Sequence, residues 1–407
     1  MSERTGHALD AAGFRDELRE WLAENKVAGL EHVDARYLAR VFDDPDLDEW
    51  TRRLHEGGYM CVAWPREFGG RGLGAVEVAV MNEELAAAGV PRVTRGMGEW
   101  LVGPSIIVHG TDEQKARFLP RIISGDDRYC QGFSEPDAGS DLASLKTRGI
   151  IDGDEVVITG QKVWTSGAQV ANMMFVLCRT DLEAPKHRGI SYVWLPMFRP
   201  DGSSNGIELR PIRQITGAAH FTESFLTESR APVDNVIGGL NQGWKVTMTT
   251  LGNERGGHAT TQHVEYRKQW DEALDAVRVR GKAADSQVRQ LLAWAYSHVE
   301  IMRFAGLRLL AEMASSKEPG PGASINKMFW SEYARGFAER LVNVLGPDAL
   351  IRPDECDDDP DGYALDAWQT AFLDTRSGTI WGGTAQIQRN IVGERVLGLP
   401  KEPQAWR

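Results

Sequence analysis

Cysteine is scarce in this chain. Its 407 residues hold four, Cys61, Cys130, Cys178 and Cys356, far apart and without a CxxC pair. That excludes a disulfide framework and a thiolate zinc site. The nine histidines fall into no HExxH-like spacing, so no metal is expected. Long apolar runs are missing too: nothing is apolar for long enough to span a bilayer. The opening stretch, MSERTGHALDAAGFRDELREW, carries no export-type apolar core, and a reducing cytoplasm is the expected compartment. Positive charge is in deficit. With 46 Lys and Arg against 58 Asp and Glu the net charge is −12, which argues against nucleic acid and anionic membrane as partners.

What is present is an ordinary globular composition, 42% hydrophobic and 26% charged, over a length that allows two or three domains. Residues 1–128 read as an N-terminal helical domain. Phe14, Leu18, Trp21 and Leu22 share one helix face, as do Val76, Val80 and Leu85, with Gly89 and Pro91 as a stop. WPREFGGRGLG between them is a glycine-rich turn without the GKS/T ending of a phosphate loop. Residues 129–237 change character: DEVVITGQKVWTSG, MMFVLCRTD, ISYVWLPM and GIELRPIRQI are short β-branched and aromatic runs, punctuated by Gly, Asp, Asn and Pro. They predict an antiparallel sheet or small barrel. Residues 238–407 return to a helical period. Val288, Leu291, Leu292, Ala295, Val299 and Met302 make a buried stripe, and a further helix is expected to end at Gly346, so a helical bundle follows. IRPDECDDDPDGYALD reads as an acidic solvated loop.

Four stretches carry candidate chemistry. In CQGFSEPDAGSDLASLKTRG, glycine permits close backbone approach and Ser140 offers a donor to an anion; an ordinary surface turn is the bland alternative. In ITGQKVWTSG, the face of Trp164 can cover a planar ring, with hydroxyls beside it; a half-buried strand Trp is the alternative. In TMTTLGNERGGHATT, Glu254 lies on a weakly charged helix, where a carboxyl tends toward a raised pKa and becomes a candidate base. The alternative there is an internal ion pair with Arg255. In GTIWGGTAQIQRNIVGERVLGLP, glycines precede a helix N-terminus, where an anion is favoured. Thr384, Gln386 and Gln388 offer hydrogen bonds, and a plain Thr384 cap is the alternative.

The order SEPxAGSD, GxKxWTS, Glu-Arg on a helix and GGTxxIQR, with WPREFGGRGLG, HGTDEQKARFLPRIISGD and APVDNVIGGLNQGW around them, resembles the acyl-CoA dehydrogenase family over nearly the whole chain. The resemblance implies an α+β multidomain fold: an N-terminal α-helical domain, a middle β-barrel and a C-terminal four-helix bundle. It implies FAD as cofactor and an acyl-CoA substrate, oxidised to the trans-2-enoyl-CoA. A carboxylate removes the α-proton and the β-hydrogen leaves as hydride to flavin N5. By position, Phe133 and Ser134 should meet the isoalloxazine, Trp164 should pack on it, and Ser166 should lie near N5. Ser140 should reach the pyrophosphate or nearby CoA groups, Arg255 should serve the substrate, and Thr384 and Gln386 should touch FAD.

Many members carry their base as the glutamate of Tyr-Glu-Gly-Thr. Here Gly382 stands in that place, within Trp381-Gly382-Gly383-Thr384. A branch that includes isovaleryl-CoA dehydrogenases instead carries Glu-Arg on a bundle helix, which assigns the base to Glu254. The amide of Gly382 remains able to donate to the thioester oxygen. Gly256, Gly257 and Gly382 free volume suited to branched, cyclic or polycyclic acyl groups, and the C-terminal pattern is similar to bacterial relatives acting on sterol side chains. The Arg-x-x-Phe-Gly and Gln-x-x-Gly-Gly stretches that relatives direct at the FAD adenosine read RVRGKAADSQVRQ and NVLGPDAL here, with Asn343 and Pro347 at altered positions. Homo-oligomer and heterotetramer with a second dehydrogenase-like subunit therefore both stay open, with electron-transferring flavoprotein as the expected acceptor. The competing readings are a flavin-dependent monooxygenase or oxidase on the same fold, and a non-catalytic subunit of a heteromer.

Overall fold

The structure is a computed structural model that describes residues 11–30, 45–256, 262–314, 322–351 and 365–401. Its elements run helices, strands, helices. The first helices are α1 (Ala11–Asn25), α2 (Pro45–Glu56), α3 (Ala75–Ala87), α4 (Gly103–His109) and α5 (Asp112–Ser124). Spacing of i, i+4, i+8 turns Phe14, Leu18 and Leu22 of α1 into one core with Leu47, Trp50 and Leu54 of α2 and Val80, Met81 and Leu85 of α3. Val76, expected on that face, is instead 38% exposed. The α5 start is a complete capping box, with Thr111 and Gln114 each satisfying the other's backbone amide.

The strands are β1 (Tyr129–Gly132), β2 (Arg148–Asp152), β3 (Glu155–Ser166), β4 (Met173–Arg179), β5 (Ile190–Pro196), β6 (Ile207–Ile212), β7 (Phe221–Pro232) and β8 (Val236–Ile237). They form one sheet in the order β6-β7-β3-β2-β4-β5-β8. The continuous apolar runs of β4 and β5 are buried on both faces and pair antiparallel, Met173 opposite Pro196 through Arg179 opposite Ile190. The sequence expectation is an antiparallel sheet or small barrel; besides the parallel meeting of β2 with β4 at Arg148 and Arg179, β1 departs from antiparallel pairing. It lies parallel to β4, Tyr129 against Met173 through Gly132 against Val176. The intervening β2 and β3 supply the long crossover a parallel pair requires.

The later helices are α6 (Gly243–Gly256), α7 (Gln262–Val279), α8 (Ser286–Ala314), α9 (Gly322–Leu345), α10 (Ala367–Asp374) and α11 (Ala385–Ile391). Val288, Leu291, Leu292, Ala295, Val299 and Met302 of α8 form the stripe read from the sequence, and pack with Tyr333, Phe337 and Leu341 of α9. Gly346 ends α9 in the left-handed conformation, φ 71°. Most of the acidic stretch after Ile351 lies outside the described residues. By contacts the chain divides into two compact units: Met1–Ala138, Leu142–Arg210 and Thr222–Asn253 in one, Gly139–Asp141, Pro211–Phe221 and Glu254–Arg407 in the other.

Candidate active site

In the first unit, β1 ends at Gly132 and the chain continues as Phe133-Ser134-Glu135 alongside β3. The amide of Val163 donates to the Ser134 carbonyl at 2.9 Å. The Phe133 ring is buried in the core, edge-on to Phe175 and Tyr192 at 5.4 and 5.9 Å. The ring is therefore committed to the core, and the Phe133 carbonyl accepts from Lys162. Ser134 is half-buried and Ser166 likewise, at the end of β3.

Between them stands Trp164, which is 57% exposed with a φ of 62°. A left-handed tryptophan inside a strand costs roughly 1–2 kcal/mol and is held by its surroundings. Neighbouring Thr165 is fully buried, and its hydroxyl accepts from Ser224 at 3.2 Å. The strand is thus anchored on the side opposite the indole. An exposed indole on a strained strand end, beside two half-buried hydroxyls, fits one face of a planar aromatic cofactor.

Beneath this surface lies a fully buried cation. Lys162 Nζ donates to the Phe133 carbonyl at 3.1 Å and to Glu135 Oε1 at 2.9 Å. Glu135 also accepts from the amides of Lys146 at 2.6 Å and Thr147 at 2.8 Å. Burial would raise the Glu135 carboxyl, but the Lys162 ammonium and those two amides outweigh it and hold it below the usual range. Burial pushes the Lys162 ammonium down, against the pull of Glu135.

The α6 helix is fixed from its first turn. A Cβ on Gly243 would lie 2.5 Å from the Ser191 carbonyl carbon and the Tyr192 nitrogen, so only glycine lets α6 approach β5 this closely. Thr250 Oγ1 lies 2.8 Å from Ser105 Oγ and 3.3 Å from the Tyr192 hydroxyl, all three buried. His109 Nε2 meets Thr249 Oγ1 at 2.8 Å. Glu254 follows Thr250 by one helical turn, at the end of α6; its side chain and that of Arg255 lie outside the described residues.

In the second unit, Gly382 and Gly383 have φ of 64° and 89°, and Thr384 caps α11 by accepting from the Ile387 amide at 3.2 Å. The hydroxyl oxygen of Thr384 thus serves the helix, which leaves its proton for another partner. Gln386 is exposed. Gln388 is buried; its Nε2 reaches back to the Gly382 carbonyl at 3.0 Å and the Gly383 carbonyl at 3.4 Å. Buried Lys327 donates to the Gly378 carbonyl at 2.7 Å, with the rings of Trp330 and Trp381 at 5.8 and 5.5 Å. Ser140, exposed in its turn, belongs to this unit by contacts.

Profiles of the N-terminal, middle and C-terminal domains of acyl-CoA dehydrogenase match residues 10–126, 130–227 and 241–397 in that order. Acyl-CoA dehydrogenase IpdE1 of Mycobacterium tuberculosis is 39% identical over 397 residues, 97% of this chain and 99% of that protein. This chain belongs to the acyl-CoA dehydrogenase family. Such proteins are flavoprotein oxidoreductases, and the three-part fold above is theirs. Among solved structures, the Tcur3481-Tcur3483 steroid acyl-CoA dehydrogenase superposes with a TM-score of 0.80 at 31% identity, covering 98% of this chain and all of that one (100%). The ChsE4-ChsE5 complex from Mycobacterium tuberculosis gives 0.76 at 29% identity, covering 98% and 100%. No described helix is long and apolar enough to cross a membrane.

The motifs SEPxAGSD and GxKxWTS of this dehydrogenase sequence contain Glu135 and Lys162, but the sequence reading gave neither a role. A signal existed. On β3 the inward positions run Val156, Ile158, Gly160, Lys162, and a lysine on the apolar parity of a strand requires a buried counter-charge.

Proposed function

We propose that the chain catalyses FAD-dependent α,β-dehydrogenation of an acyl-CoA thioester to the trans-2-enoyl-CoA, with Glu254 taking the α-proton. The observation that carries this is the turn at Gly382-Gly383. Where many relatives place their acid there is a left-handed glycine pair whose carbonyls are held by Gln388. The base must then come from another element, and the pinned α6 brings Glu254 to its last turn.

When bound, FAD supplies the hydride acceptor at N5. In the reading proposed here, the backbone of Phe133, the hydroxyls of Ser134 and Ser166 and the indole of Trp164 hold one side of it. Thr384 and Gln386 contribute from the α11 end, and Ser140 serves the pyrophosphate or CoA. The Gly382 amide donates to the thioester oxygen and so acidifies the α-carbon, which lowers the barrier to proton removal by Glu254. Arg255 serves the substrate.

The substrate class proposed is a bulky, polycyclic acyl-CoA of the steroid type, supported by the glycines at 256, 257 and 382 and by the 31% identity to a steroid dehydrogenase. A heteromer with a second dehydrogenase-like subunit is favoured over a homo-oligomer. Both structural relatives named above are two-component proteins, and Asn343 and Pro347 break the usual adenosine-end pattern. Electron-transferring flavoprotein is the proposed acceptor, and the cytoplasm the proposed compartment.

The test is anaerobic bleaching of the flavin band by a panel of acyl-CoA thioesters, alone and with a co-expressed partner. Steroid side-chain thioesters should bleach it, and Glu254→Gln should slow bleaching by ~10²–10⁴ with FAD still bound. Unchanged rates in Glu254→Gln would remove the base assignment. Reoxidation by oxygen without enoyl-CoA product would replace dehydrogenation with an oxygenase reading.

A further inference from the structure

Lys162 is the only described lysine with no exposure at all. A buried ion pair contributes little net stability, because two desolvation penalties offset the attraction. What such a pair does supply is geometry: each partner keeps its charge satisfied only at one position.

Here that geometry ties three segments together. Lys162 Nζ holds the Phe133 carbonyl at 3.1 Å and Glu135 at 2.9 Å; Glu135 holds the amides of residues 146 and 147; Val163 holds the Ser134 carbonyl at 2.9 Å. A shift of the Phe133–Glu135 segment by about one ångström would leave a buried ammonium, a carboxylate and the buried Thr147 amide without their partners. Two residues beyond Lys162 the chain reaches Trp164, held in its left-handed conformation with its indole outward.

We infer that Lys162 and Glu135 are positioning residues: as a buried pair they set the spacing between Phe133-Ser134 and the Trp164–Ser166 strand end, and so the shape of the flavin-facing wall. This rests on the flavin reading above. Lys162 is wholly enclosed, and the pair acts through the backbone it holds. The pair also explains why a tryptophan can occupy a strained φ there, since β3 is locked on both sides of it, by Lys162 before and by Thr165 on Ser224 after.

The test separates positioning from mere stability with a double variant. Lys162→Met with Glu135→Gln removes both charges at nearly constant volume and so leaves no lone buried charge, the costliest way to break such a pair. The double variant should fold, with far-ultraviolet circular dichroism near wild type. It should bind FAD about tenfold or more weakly, the loss expected when one oriented contact is broken, and show altered visible circular dichroism of bound flavin. Wild-type Kd and wild-type flavin dichroism in the folded double variant would overturn the inference. Should the double variant fail to fold, Glu135→Gln alone, which keeps one acceptor for Lys162, is read by the same two criteria. If the wild-type chain itself binds no FAD, the flavin reading fails first, and hydrogen exchange in the cofactor-free protein still judges the pair. The Val163 amide should exchange at least tenfold faster in the variant, and an unchanged rate would overturn the positioning role.

Discussion

The glycine turn at residues 382–383 depends on one side chain, and its removal has a size that can be worked out. Gln388 Nε2 donates to the Gly382 carbonyl at 3.0 Å and, less well, to that of Gly383 at 3.4 Å, while its Oε1 is buried without a partner. Gln388→Met removes both donated bonds but also the orphaned oxygen. One good bond is worth ~1 kcal/mol net, the long one less, and relief of the orphan returns part of that, so the net loss should be about 1 kcal/mol. Gln388→Glu has the same shape and the opposite chemistry. It sets a buried carboxylate against two carbonyl oxygens, an uncompensated charge of the kind that costs ~3–5 kcal/mol. The introduced carboxyl has its pKa raised in the folded state, since folding disfavours its charged form. Its penalty is therefore absent below its unfolded pKa of about 4.3 and grows as pH rises through the folded value. Urea unfolding followed by tryptophan fluorescence, at neutral and mildly acidic pH, should rank wild type above Gln388→Met and Gln388→Met above Gln388→Glu. The last gap should narrow on acidification. Equal stabilities for the two variants at neutral pH, or a gap independent of pH, would refute the clamp.

Gly243→Ala should lower the melting temperature and slow flavin bleaching together. Its Cβ would sit 2.5 Å from β5 backbone, an overpacking that costs ~1–3 kcal/mol and pushes α6 outward; wild-type melting would show that β5 yields instead. Thr250→Val removes the hydroxyl between Ser105 and Tyr192 while keeping volume, so bleaching rate should fall and substrate Kd stay near wild type. A change in Kd alone would place Thr250 outside the α6 alignment. His109 has its pKa lowered by burial and then by Lys245. Its neutral form is favoured on folding, so its contribution to stability is present above about pH 6.5 and lost as pH falls through the depressed folded value. His109→Gln should flatten that part of the stability profile, and an unaltered profile would assign it elsewhere. The Cys178 thiol, raised to about 12 by burial, and Cys130, raised by burial as well, should resist thiol reagents in the native protein at neutral pH; rapid native labelling of either would contradict their placement in the core.

How far the sequence could be read follows from the range of each signal. The i, i+4, i+8 pattern of Phe14, Leu18 and Leu22 and the stripe of α8 are local, and the structure buries both. The apolar runs of β4 and β5 announce strands covered on two faces. Direction is not local: nothing in YCQG says that β1 will lie parallel to β4, because that choice belongs to the crossover through β2 and β3. Likewise the partner of Lys162 is 27 residues away along the chain, and no spacing rule connects them, although the lysine's parity on β3 demanded that some acid be there.

Thr384 shows a different limit. Its cap reading and its ligand reading looked like rivals in the sequence, yet a hydroxyl has an acceptor side and a donor side. The Ile387 amide takes the first, and the proton is not used by that cap. Gln388 repeats the logic with an amide, Nε2 spent on the turn and Oε1 unspent. A capping or clamping residue is thus not disqualified from a site by its structural duty. The duty fixes where its remaining valence points, and for two side chains on one short helix that is the more useful information.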